Sequence, residues 1–175
     1  MNQIDPKLSA AFFFDAVDVA ANRSGRLSPT QEQGFQVEAS VSRSSVPKVL
    51  TLTAIAIVAG FVYSSVQPGA DLSQMLLVAG LLLVAFGIIA LIARKNLTRA
   101  AQLDVAREQP SVLVAEGLPT EHWNTTSDIR SLVVAGVHFR MMWDDIEKFH
   151  KDTVYRVYYA MIGKQPRMLS VEVVR

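Results

Sequence analysis

The chain has 175 residues, half of them hydrophobic, a formal net charge of +1 and no cysteine. Near-neutral charge excludes a strong general field for nucleic acid or acidic partners. The lack of cysteine excludes disulfides, thiolate metal sites and a thiol nucleophile.

The opening MNQIDPKLSAAFFF does not read as a secretory signal, because Asp15 and Asp18 interrupt its short apolar run. Residues 1–40 are expected to form a helical hairpin. Leu8, Phe12, Ala16 and Val19 recur at helical spacing from Pro6 to Ala21. Ser28-Pro29-Thr30-Gln31 then reads as a new helix start, with a serine cap, a proline at the first position and a glutamine for a capping box. That helix is expected to run to about Ser40. The turn between has the spacing of an EF-hand, from Ala20 through Asn22, Ser24, Gly25 and Leu27 to Gln31. Calcium needs carboxylates at the first and last of those positions, and alanine and glutamine stand there. The shape is therefore expected without the ion. Phe12, Phe13 and Phe14 are more aromatic surface than a two-helix hairpin can cover, so a partner, the membrane surface or the C-terminal domain must cover them, and they are the candidate contact with a partner.

Serine-rich residues 41–48 read as a linker. Two charge-free apolar stretches follow, 49–66 and 72–93, each long enough to cross a bilayer core as a helix. Pro68 and Gly69 place a turn at 67–71. Arg43 and Lys48 precede the first stretch, while Arg94, Lys95 and Arg99 follow the second. Both termini are therefore expected in the cytoplasm and the turn outside. No charge lies within either stretch, which counts against a pump or proton relay. Ala56 with Gly60, and Gly80 with Gly87, are candidates for close helix packing.

Residues 94–110 are expected as a helical stalk, and 111–175 as a small all-β domain, an SH3- or OB-like barrel or a curled sheet. SVLVAEG reads as a strand, LPTEHWNTTSDIR as loop, and SLVVAGVHFRMM as extended chain with a turn or bulge at Gly136. WDDIEKFHKD is a polar connection. VYRVYYA and MLSVEVV pair as a hairpin across IGKQP. Its apolar row is Tyr155, Val157 and Tyr159 over Leu169, Val171 and Val173. Arg156, Tyr158, Ser170 and Glu172 form the opposite, polar row. The aromatic hairpin is read as core. A nucleic-acid stacking strand would need a basic surface, and Asp144, Asp145, Glu147, Asp152 and Glu172 dilute it.

His122, His138 and His150 are not at metal-ligand spacing from one another. No phosphate loop, nucleophile elbow or HExxH occurs. No catalytic, cofactor or metal residue is therefore assigned, and no enzyme is expected.

ANRSGRLSPTQ together with GVHFRMMWDDIEKFHKDTVYRVYYA…LSVEVV resembles a group of uncharacterised bacterial two-pass membrane proteins. Their shared marks are an Asn-Arg-x-Gly-x-Leu-Ser-x-x-Gln segment and a Tyr-Arg-Val-Tyr-Tyr hairpin. The group often continues into a Thr-Pro turn, where this chain has Ala160-Met161-Ile162-Gly163. The resemblance implies the same architecture in an inner membrane and brings no activity. The expected function is a structural or accessory subunit of a membrane complex, with a protein partner or a second copy. The alternatives are a sensor whose β domain binds a small ligand or peptide, and a pore formed by oligomerisation.

Overall fold

The computed structural model describes residues 3–66, 72–124 and 129–174. The turn expected at 67–71 lies outside them. The described chain forms two compact units. One joins residues 1–36 with 102–175, and the other is 37–101.

The N-terminal stretch is two helices rather than one, α1 (Pro6–Phe12) and α2 (Ala16–Arg23). Phe13 takes a left-handed conformation, φ 54°, and its amide donates to the Ser9 carbonyl, which ends α1. Asp15 then caps α2 in a reciprocal capping box with Asp18. These acids, within the stretch expected as one helix, are the local signal that starts a second.

α3 runs unbroken from Pro29 to Val66, and α4 from Leu72 to Glu108. Residues 41–48, expected as a linker, are helical. The serines do not break the helix because their hydroxyls turn back onto it. Ser40, Ser44 and Ser45 donate to the carbonyls of Val37, Val41 and Ser42, a local bond that keeps a polar side chain within a helix. Pro47 lies inside α3.

Both helices are long and apolar enough to cross a membrane, and only 6% of each apolar window is buried. Leu52, Ile55, Val58 and Val62 on α3, and Leu77, Leu81, Val84 and Leu91 on α4, are exposed. The buried positions in this unit carry small or branched residues: Ala39, Val46, Ala93 and Ala100.

The strands are β1 (Val112–Gly117), β2 (Thr120–Asn124), β3 (Ile129–Val134), β4 (Val137–Arg140), β5 (Tyr155–Ile162) and β6 (Gln165–Val173), with the short helix α5 (Trp143–Ile146) before β5. They form two antiparallel sheets, β1-β5-β6 and β2-β3-β4. This corrects the barrel expectation: β1 pairs with β5 rather than with β2, so the strands divide into two sheets and do not close. TEHWN, expected as loop, is strand β2. Ala135 and Gly136 both have positive φ and make the tight turn of the β3–β4 hairpin. Gly163, φ +63°, opens the two-residue turn between β5 and β6.

One face of β1-β5-β6 packs on the other sheet. Tyr155, Val157 and Val171 are fully buried there with Leu132, Val134 and Phe139. The aromatic hairpin is thus core. The other face, expected as the polar row, is also covered: Tyr158, Ser170 and Glu172 are buried, Tyr158 bonds to Glu172, and Ser170 and Glu172 bond to α2. The N-terminal helices are not a separate domain but the lid of this sheet.

Candidate functional site

The N-terminal loop has the geometry of its EF-hand-like spacing. Gly25 has φ +76°, Leu27 is buried, and Ser28 and Gln31 form the expected capping box. Amides occupy the loop. The Asn22 Nδ2 donates to Gln31 Oε1 at 2.8 Å and to the Arg26 carbonyl at 2.9 Å. Gln31 Nε2 returns a bond to Asn22 Oδ1 at 3.1 Å.

The same groups reach β6. Between Tyr158 and Tyr159 the register slips, so Leu169 has no cross-strand partner. A bulge of this kind frees a carbonyl, and Gln31 Nε2 donates to it at 3.2 Å. The Ser170 hydroxyl donates to Asn22 Oδ1 at 2.7 Å. Glu172 accepts from Arg23 and from the Tyr158 hydroxyl. The Ser28 hydroxyl donates to buried Asp18. Among the described residues, no buried side-chain nitrogen or oxygen lacks a partner. The two motifs quoted from the sequence are therefore one packing junction, and their polar residues are spent on holding it. Burial, then the Glu172 carboxylate, raise the Tyr158 hydroxyl above its ordinary pKa. The Glu116 carboxylate, 2.7 Å from Arg156, raises that guanidinium.

The three phenylalanines separate. Phe14 is buried, and Phe12 packs on Phe149 with ring centres 5.9 Å apart. Only Phe13 is open, at 90% exposure. Of the covers open to the phenylalanines, the β domain supplies that of Phe12 and Phe14, and Phe13 is left as the open candidate for a partner contact. Of the four small residues, Gly60 faces α4, where an added β-carbon would lie 3.7 Å from Leu82 Cδ1. Ala56 is exposed, and nothing lies within 4 Å of a β-carbon built on Gly80 or Gly87.

A second surface was not singled out from sequence. The chain's two tryptophans clasp Arg130. Its guanidinium carbon lies 4.9 Å from the Trp123 ring centre and 4.2 Å from that of Trp143. Trp123 and Arg130 are cross-strand partners on β2 and β3, and Trp143 opens α5. Glu121 lies 3.6 Å from Arg130. Both rings stay open to solvent, with Met142 beside them in sequence and also exposed. The signal in the sequence was there: two isolated tryptophans in polar stretches.

A cleft of about 320 Å³ lies beside the chain ends, lined among others by Gln3, Asp5, His150, Thr153, Tyr155 and Val173. The Tyr155 hydroxyl at its wall accepts from the His150 amide at 3.0 Å. His122 and His138 come together elsewhere, ring centres 5.3 Å apart. Among the described residues no group of three or more metal-ligating side chains forms. Asp145 is bridged to Lys148 at 2.6 Å.

Comparison with known families, curated proteins and solved structures finds no match for this chain.

Proposed function

We propose that the chain is a non-enzymatic two-pass protein of a bacterial inner membrane, serving as an accessory subunit of a membrane complex. Both termini, and with them the β unit, lie in the cytoplasm. The observation that carries the membrane part is the outward apolar face of α3 and α4. A core helix of a soluble protein hides such residues, and here Leu52, Val58, Leu81 and Leu91 all point out. Basic residues at the open ends of the hairpin give the orientation.

The accessory role rests on how the polar groups are used. The N-terminal motif and the tyrosine hairpin hold the fold together. The exposed Trp123, Arg130 and Trp143 are of the residue types that dominate protein contacts. Phe13 is a second exposed anchor. The test is native mass spectrometry of the protein gently extracted from its own membrane. A stoichiometric complex with other proteins supports the reading. A bare monomer or a homo-oligomer overturns it.

The cleft beside the chain ends favours a second reading, a sensor whose β unit binds a small ligand. Its volume is at the lower end for such sites. A ligand-dependent rise in melting temperature, abolished by Thr153→Trp in the cleft wall, would select it.

A further inference from the structure

We propose that His122 and His138 together bind a divalent transition-metal ion on the outer face of the β2-β3-β4 sheet. His122 is the cross-strand partner of Ser131, and His138 that of Val133. Partners in antiparallel strands share a face, so both imidazoles stand on the same side, from the two strands flanking β3. Ser131 and Val133 on β3 separate the two strands there, Ser131 covered with 5% exposure, while both histidines are exposed.

Their ring centres are 5.3 Å apart and the rings are nearly perpendicular, at 88°. Metal chemistry supplies the comparison. A zinc–nitrogen bond of about 2.0–2.1 Å places the ring centre about 3.2 Å from the ion, so two imidazoles on one tetrahedral ion have centres about 5 Å apart. The pair already has that separation. Chelation asks only for rotation of exposed side chains, which takes picoseconds to nanoseconds. The backbone beneath is a paired sheet with a tight β3–β4 turn, so little order is lost on binding.

Imidazole nitrogen suits copper, nickel and zinc, with copper held most tightly. Two protein ligands leave the remaining positions to water or to a group from another molecule. Arg140 lies on the same face at the register of Ser131, and its charge opposes a dication, which keeps the site weak.

The experiment is a Cu²⁺ titration of the full chain in detergent, without a histidine tag, followed by calorimetry and by electron paramagnetic resonance. The expected result is saturable binding of one ion per chain with two coupled nitrogens. His122→Gln and His138→Gln each weaken binding at least tenfold and leave one nitrogen, while His150→Gln changes nothing. Unaltered binding in the double variant H122Q/H138Q overturns the proposal. So does a wild-type spectrum with fewer than two nitrogens, a reading that needs no variant to fold.

Discussion

Arg23 on α2 donates to Glu172 on β6, a contact between residues 149 positions apart. The Glu172 side chain is fully buried, whereas that of Arg23 is half exposed. The carboxylate thus lies in the interior, with a cation and a tyrosine hydroxyl as partners. Removing the cation leaves a buried charge short of compensation, which is the expensive way to break such a pair. Arg23→Ala should lower unfolding free energy by about 2–3 kcal/mol, tempered by the exposure of Arg23. Glu172→Gln keeps shape and should cost about 1 kcal/mol. Chemical denaturation in detergent, read by tyrosine near-ultraviolet dichroism, gives both. Equal effects of the two variants would show that the charge itself contributes little.

Tyr158 sets an alkaline limit. Its hydroxyl is raised above the ordinary value of 10.0 by burial and by Glu172. The folded chain then keeps a proton that the unfolded chain has already released. The stability so conferred is intact below about pH 10 and is lost as pH rises through the higher folded value. Tyr158→Phe should flatten the fall in stability above pH 10. An unchanged alkaline slope in that variant would assign the fall to other groups.

Restoring the missing acid of the calcium loop should fail. Gln31→Glu places a carboxylate where the Gln31 amide now donates to the Leu169 carbonyl and to Asn22. Two acceptors then face each other, so a loss of about 1–3 kcal/mol is expected. Calcium should not raise the melting temperature of this variant. A calcium-dependent rise would show that the loop can hold the ion after all.

The turn glycines differ. An added β-carbon at Gly25 meets nothing within 4 Å, whereas at Gly163 it would lie 2.6 Å from the Gln102 side chain. Both have positive φ. Gly25→Ala should cost about 1 kcal/mol from backbone conformation alone. Gly163→Ala should cost more, and Gln102→Ala should recover the excess. A double-mutant cycle reports the coupling directly.

The absence of cysteine makes sidedness easy to measure. Ser24→Cys and Ala70→Cys are single reactive handles on an otherwise thiol-free chain. With a membrane-impermeant maleimide on intact cells, Ala70→Cys should label and Ser24→Cys should not until the membrane is opened. The reverse pattern would invert the orientation.

The long apolar helices were legible because nothing local competes with their length. The tyrosine hairpin was legible because its aromatic and branched residues alternate. Three features were not. Ser170 and Glu172 read only as a polar row, and its cover was hidden because their partners Asn22 and Arg23 lie at the other end of the chain. The slip at Leu169 also disturbs the alternation on which the row was read, and no residue in MLSVEVV announces a bulge. Likewise Trp123 reads as loop because TEHWN is polar, while its pairing with Arg130 is set across the sheet. Which of the possible covers the phenylalanines take was unreadable for the same reason: local sequence counts apolar groups and cannot count the distant surface that covers them.

The N-terminal helices cover a strand, β6, that is made long after them. With 149 residues between Arg23 and Glu172, synthesis at about 5–20 residues per second leaves a wait of about 7–30 seconds. For that time Leu8, Phe12 and Phe14 lack the cover that the strands give them, while both long apolar helices are made in between. The unit that joins residues 1–36 with 102–175 therefore closes only after both long apolar helices have been made. A holding chaperone has its clearest work on α1 and α2 during that interval.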